Sequence, residues 1–187
     1  MKAMSVVVKS SLVALGLWCA MSLPAWGLPL LSLSATQAGS VVQVEVTASG
    51  ATDLYAYQFS LNFDPGVLHA TTVSEGPFLA TGGPTFFDAG TTDNVGGQVS
   101  FMFDTLLSAV PGVSGSGILA VIDFSVQQWR TLTTLSLGDV MALDSQLNVL
   151  PSQTQALRLQ IPEPGVLALL AIGLLALTLA MRRQARP

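Results

Sequence analysis

Few side chains between Leu28 and Ile161 are equipped for chemistry. Nucleophilic catalysis needs a base within hydrogen-bond reach of a nucleophile, and the sequence offers one imidazole, His69, placed just past Asp64-Pro65-Gly66 as a strand residue. Gly115-Ser116-Gly117 lacks the strand-turn-helix context of a nucleophile elbow and reads as a turn. Two carboxylates can hydrolyse a glycosidic bond when they meet across a cleft, one of them raised in pKa. No spacing among Asp88, Asp93, Asp104 and Asp123 forces such a meeting. The run Asp88-Ala89-Gly90-Thr91-Thr92-Asp93-Asn94 has oxygens that suit calcium, yet it lacks the Asp-x-Asp-x-Asp-Gly and twelfth-position Glu of an EF-hand loop and reads as a solvated acidic turn. One His and no Cys beyond Cys19 cannot make a zinc set. The expectation is a protein that is not an enzyme, with no catalytic residue, no metal site and no cofactor. Tyr55 and Tyr57 share a face with Phe59, Leu61 and Phe63 and belong to a core, their hydroxyls near its rim. Trp129, after Gln127-Gln128 and beside Arg130, either stacks on a sugar or covers an open end of the fold.

The elements that hold these residues are short strands separated by Gly, Pro, Asp and Ser turns, with no convincing helical period. Leu28 to Ser34 reads as a first strand. In Val41 to Ala48, Val42, Val44 and Val46 alternate with Gln43, Glu45 and Thr47, the pattern of a half-buried strand. Leu54 to Phe63 is the clearest element, with Ala56, Gln58, Ser60 and Asn62 opposite the aromatic row. Val67 to Val73 returns the chain, Pro77 to Ala80 makes one helical turn, and Thr85 to Asp88 is a short edge strand. Val99, Phe101 and Phe103 alternate with Ser100, Met102 and Asp104. After a loop from Leu106 to Gly117, Ile118 to Val126 is apolar enough for a central strand. Leu132 to Leu137, Val140 to Leu143, Gln146 to Leu150 and Ala156 to Ile161 complete the set. About nine strands of this kind predict an all-β, antiparallel β-sandwich.

The two ends address the chain. Lys2 and Lys9, the apolar stretch Ser10 to Leu23, and Ala25-Trp26-Gly27 predict a signal peptide over residues 1–27. A lipoprotein signal at Cys19 fails because bulky Trp18 precedes it. At the other end, Pro162-Glu163-Pro164-Gly165 is followed by an apolar run from Val166 to Met181 and then by Arg182, Arg183 and Arg186. At about 1.5 Å per residue this run makes a helix of roughly 24 Å, somewhat short of a bilayer core of ~30 Å. The prediction is a weakly held transmembrane helix over 166–181. Lysines at one end and arginines at the other put everything between outside the inner membrane. The C-terminal order of tripeptide, short apolar helix and Arg cluster resembles the PEP-CTERM sorting signal of Gram-negative bacteria. That resemblance implies recognition by an exosortase, a membrane transpeptidase, loss of the Arg tail, and display at the cell envelope or extracellular surface after transient residence in the inner membrane.

Between these segments, residues 28–161 form one domain with Arg130 and Arg158 set against ten acids, a formal balance of minus eight. Such a surface repels phosphate backbones, so a nucleic-acid partner is not expected. Without cysteine, this stretch depends on burial alone for stability.

Within the domain, Ala38-Gly39-Ser40-Val41, Tyr57 to Leu68 with its Phe-Asp-Pro-Gly-Val-Leu turn, Gly97-Gln98-Val99-Ser100-Phe101, and Gly115 to Phe124 together resemble a cohesin domain. The resemblance covers nearly all of 28–161. It implies a nine-stranded jelly roll that docks a calcium-loaded dockerin helix pair in polysaccharide-degrading assemblies. It also implies that the docking face includes the outward side of the strand before Asp64-Pro65 and that of the Phe-x-Phe strand, where Ser100, Met102 and Asp104 stand. The family often carries Asn and Asp where this chain has Ala56 and Gln58. Gln58, Ser60, Asn62, Ser100 and Met102 are therefore the expected partner-binding face, an uncharged polar patch with one flexible apolar side chain. Two functions remain: an envelope-displayed module docking a dockerin-like protein in a polysaccharide- or biofilm-related assembly, or a carbohydrate-binding or matrix protein touching exopolysaccharide. A second exported protein with paired calcium loops would mark the first, and planar aromatics aligned on an exposed face the second.

Overall fold

The computed structural model describes residues 29–163, together with 165, 170, 172 and 174. The expected signal peptide, most of the apolar run 166–181 and the arginine tail lie outside the described residues. Among the described residues no helix is long and apolar enough to cross a membrane.

Over residues 29–163 twelve strands and one helical turn follow one another as β1 (Leu30–Ala38), β2 (Val41–Leu54), β3 (Ala56–Asn62), β4 (Leu68–Glu75), α1 (Pro77–Ala80), β5 (Thr85–Asp88), β6 (Thr91–Asp93), β7 (Gln98–Leu106), β8 (Val113–Val126), β9 (Thr131–Leu143), β10 (Val149–Leu150), β11 (Gln153–Gln155) and β12 (Leu157–Ile161). They make two sheets packed face to face, one of five strands in the order β11-β1-β2-β8-β4 and one of seven, in which β10-β9-β3-β7-β5 is extended by β12 on β9 and β6 on β7. β6 and β11, ladders of only three residues each, have no counterpart in the expected set of about nine strands, because they are too short for alternation to reveal. The sandwich is not purely antiparallel either, since β11 pairs parallel to β1.

Alternation places the core. Val42, Val44 and Val46 of β2 meet Phe124, Ile122 and Ala120 of β8, and all six are fully buried. From the other sheet Tyr57, Phe59, Leu61 and Phe63 point inward, as the aromatic row predicts. Tyr57 stacks on Phe59 with ring centroids 5.4 Å apart, and Phe63 meets Phe124 edge-on at 5.1 Å, joining the two layers. The Tyr57 hydroxyl donates to the Leu119 carbonyl at 2.5 Å, so burial of the phenol leaves no orphan donor. Tyr55 lies between β2 and β3, where the chain crosses from one sheet to the other. Its N–H donates to Leu143 O and its carbonyl accepts from Leu106 N–H.

Two expected loops turn out to be strand. β8 begins at Val113, where the hydroxyls of Ser114 and Ser116 accept from the N–H groups of Asp53 and Gly50 and bridge the irregular end of β2. The segments 132–137 and 140–143 join as the single strand β9, which carries a bulge rather than a turn between them. Conversely, most of the expected strand Gln146 to Leu150 is a turn, organised by the Asp144 carboxylate accepting from the N–H groups of Gln146 and Asn148.

Candidate functional site

β3 runs down the middle of the seven-stranded sheet, and its outward residues each meet two neighbours. Ala56 lies between Thr105 and Leu143, Gln58 between Phe103 and Met141, and Asn62 between Gln98 and Ser136. Ser60 sits where both flanking ladders slip register, β7 between the Phe59 and Leu61 pairs and β9 between the Gln58 and Ser60 pairs. A bulge adds one residue to one strand, bends it and inverts its alternation beyond that point. Here two bulges face each other across one serine. Phe101 at φ 55° and Asp139 at φ 50° occupy the left-handed region that most side chains avoid. The Ser60 hydroxyl accepts from the Phe101 N–H at 3.1 Å and donates to the Asp139 carboxylate at 2.9 Å. Gly90 closes the arrangement: its φ is +70°, and a Cβ there would stand 2.1 Å from the Ser100 carbonyl oxygen, so only glycine lets the β5–β6 turn approach the bulged backbone.

The expected binding face is corrected by this bulge. Met102 is not outward; it is fully buried in the core, because the extra residue at Phe101 reverses the phase of β7. Asp104, also expected outward, is buried for the same reason, while Phe101 and Phe103, expected inside, turn out. Ser60 does face outward but is covered completely, occupied by its two bulge contacts. Gln58, Asn62 and Ser100 are half-buried on the outer face, with the Gln98 amide donating to Asn62 Oδ1 and accepting from the Ser100 hydroxyl.

What the face presents instead is apolar. Phe86 is 53%, Phe101 57%, Met141 41% and Val149 66% exposed, with half-buried Ala56, Phe103 and Leu143 between them. The Phe86 and Phe103 rings lie 5.8 Å apart, tilted by 43°. The row runs from Phe86 through Phe103, Ala56 and Met141 to Val149, with the exposed carboxylates of Asp88, opposite Phe103, and Asp139, bonded to Ser60, beside it. A shallow depression of about 170 Å³ opens between Gln58, Phe103, Thr105 and Met141, smaller than the ~300 to 1,000 Å³ that encloses a small ligand. The shape suits a broad contact.

The remaining candidates for chemistry are dispersed. Asp88 accepts from the Gly90 N–H, and Asp93 from those of Val95 and Gly96, bonds that hold the Asp93 carboxyl below its ordinary range. Asp123 accepts from the Gln43 amide on the outer face of the other sheet. Asp104 lies between the sheets with neither carboxylate oxygen hydrogen-bonded; burial first, then the nearby charge of Glu75, pushes its pKa up to about 6. His69 stands on β4 opposite Ser125, whose hydroxyl donates to the His69 carbonyl. No group of three His, Cys, Asp or Glu able to hold a metal ion occurs among the described residues. Trp129 packs against the core, covering it at the turn between β8 and β9. Beside it, Pro162 is exposed and Glu163 half-buried, directly after β12. Pro164 lies outside the described residues.

Known proteins agree with this geometry. The third cohesin ScaC of Acetivibrio cellulolyticus, solved in complex with the ScaB dockerin, is 17% identical over 72% of this chain and 99% of that one, at a TM-score of 0.59. A non-cellulosomal cohesin from the archaeon Archaeoglobus fulgidus is 18% identical over 71% and 89%, at 0.53. The cohesin module of a Clostridium perfringens family 33 glycoside hydrolase is 11% identical over 73% and 98%, at 0.58. At such identities the likeness is one of fold. No curated protein sequence matches the chain. Residues 160–184 match the PEP-CTERM protein-sorting motif. Residues 28–155, more than half of the sequence, match the cohesin domain, and the chain belongs to the cohesin-domain family.

Proposed function

We propose that this protein is an exported cohesin-type docking module, not an enzyme, that captures a protein partner on the outer face of its seven-stranded sheet. The observation that carries this reading is the cluster of Phe86, Phe101, Phe103 and Met141, exposed together on one sheet face. Exposed apolar patches of this kind mark interaction sites, and a flexible Met beside aromatic rings can adapt to a partner's side chains. Solved cohesins with the same fold carry dockerins, so a dockerin-type helical protein is the partner the reading favours. In this organisation residues 1–27 are a signal peptide, 28–161 the docking domain and 162–187 the sorting signal, whose recognition by an exosortase leads from the inner membrane to the envelope.

The carbohydrate reading has one observation in its favour, since Phe86, Phe101 and Phe103 are aromatics on one exposed face. Against it, the Phe86 and Phe103 planes are tilted by 43° rather than coplanar, and Met141, Leu143 and Val149 extend the patch with aliphatic surface that a sugar cannot hydrogen-bond. The test is a pull-down from envelope extract with the full chain, with and without calcium, alongside binding to the producing cell's exopolysaccharide. Calcium-dependent capture of a protein carrying paired calcium loops, lost on Phe101→Glu, supports docking. Retention on polysaccharide, lost on the same substitution, overturns it in favour of a glycan.

A further inference from the structure

The last strand of the fold and the sorting motif share no linker. β12 pairs with β9 as far as Ile161 opposite Thr131, Ile161 is fully buried, and the Arg130 N–H donates to the Ile161 carbonyl at 2.9 Å. Pro162 follows at once. Two residues beyond the buried strand end, Glu163 engages Arg130 through both carboxylate oxygens, one to Nε and the other to Nη2. This is the two-pronged pairing that fits a guanidinium and not an ammonium. Its setting is unusual, because the domain carries only two arginines against ten acids, so Glu163 would be repelled by the domain at large and is drawn to this one turn. Arg130 itself sits at φ 57°, a left-handed position where glycine would be the unstrained choice. An arginine stands there instead, and its contact is the glutamate of the sorting motif.

We propose that Arg130 is a positioning residue that clamps Glu163 of the sorting motif to the folded domain, and that Glu163 must leave this clamp before a sorting transpeptidase can engage the motif. The inference rests on the reading of this segment as a sorting signal. The residues just upstream of the motif are committed to β-pairing. Three residues span only about 10 Å, too little slack to reach a cleft while Ile161 stays seated. A recognition site for the glutamate must also displace the guanidinium from both oxygens. The transfer itself exchanges the scissile amide for a bond to an acceptor nucleophile, the downstream segment leaving as its free amine. The clamp acts on the opening that precedes that exchange.

The experiment follows the full-length precursor by pulse-chase in a host that carries the sorting enzyme. Arg130→Gly removes the fork while suiting the left-handed turn, so it is expected to leave the melting temperature unchanged or raised and to speed loss of the C-terminal segment about two- to fivefold, the range open to an exposed ion pair. Arg130→Lys, with charge but no fork, falls between. An Arg130→Gly precursor sorted at the wild-type rate, or more slowly, overturns the clamp. Glu163→Ala is the control on the underlying reading: if it is sorted as fast as wild type, the motif is not what the enzyme reads. Hydrogen exchange of the purified precursor in detergent tests the clamp without the enzyme. Arg130→Gly should raise exchange at the Ile161 amide severalfold, and unchanged exchange there overturns the proposal.

Discussion

The two outer faces of the sandwich are built by the same alternation and present opposite chemistry. On the five-stranded sheet, Gln43 donates to Asp123, Ser34 approaches Glu45, and Thr71 donates to the Asp123 carbonyl. That face is polar and paired within itself. On the seven-stranded sheet the corresponding positions are Phe86, Phe101, Phe103, Met141 and Val149, with no partner in the described chain. The difference lies not in composition alone but in the double bulge at Ser60, which turns Phe101 and Phe103 outward and sends Met102 and Asp104 in. An exposed apolar surface is made here by changing the phase of a strand.

The largest expected effect tests the register that underlies both faces. Phe59 is fully buried, so Phe59→Ala should cost about 3 to 5 kcal/mol through lost burial plus a cavity. Gln58→Ala, one residue away on the outer face, should stay within about 0.5 kcal/mol. Equal denaturation midpoints for the two variants would mean that the faces are exchanged.

Next in size is the functional difference between the faces. Phe101→Glu puts a charge on the apolar face beside Phe103 and should weaken partner capture by ~30-fold or more, as loss of a hot-spot aromatic does. Gln43→Glu on the polar face should leave capture unchanged. Titration of the captured partner against both variants reads the contrast directly, and equal affinities would erase it.

The third test concerns what the bulge has buried. The folded protein holds the Asp104 proton up to about pH 6, against an ordinary carboxyl value near 3.9 for the unfolded chain. Between those values the folded state binds more protons than the unfolded one, so stability falls as pH rises through this window and stays lower above it. The loss is on the order of 1 to 3 kcal/mol. Asp104→Asn should therefore be the more stable protein at pH 7.5 and lose its advantage near pH 4. Thermal melts of both proteins across that range decide, and a difference between them that does not grow from pH 4 to 7.5 contradicts the assignment.

The smallest effect probes the bulge itself. Ser60→Ala leaves the Phe101 N–H and the Asp139 carboxylate without their shared partner and should cost about 1 to 2 kcal/mol, with a weaker partner complex as Phe101 loosens. Unchanged stability and capture would show that the bulges stand without the serine.

Much of this fold is legible in the sequence. The valine alternation of β2, the aromatic row of β3 and the Asp64-Pro65-Gly66 turn each carry a local signal that the structure bears out. The outer face is not legible in the same way. From Ser100 to Asp104 both phases of β7 contain large apolar residues, so alternation alone cannot say where the phase changes. The cause sits on other strands, in the hydroxyl of Ser60 and the missing side chain of Gly90, which no reading of β7 includes. β11 escapes for a related reason: Gln153 to Gln155 is polar and three residues long, and only its partner β1 makes it a strand.

That partnership has a consequence in time. β1 is the first strand of the domain and β11 nearly the last, yet they lie side by side at the edge of the five-stranded sheet. Contacts so distant along the chain are slow to form, because the loop between them must close before they contribute anything. The sheet edge at β1 therefore stays open until almost the whole domain is present. A chain emerging from its N-terminus remains incomplete, and threadable, for nearly the full length of its passage. Truncation after Leu150 is expected to leave the Leu31 amide, which the register aims at β11, exchanging rapidly; full protection of it in the shortened chain would show that β1 does not wait for its partner.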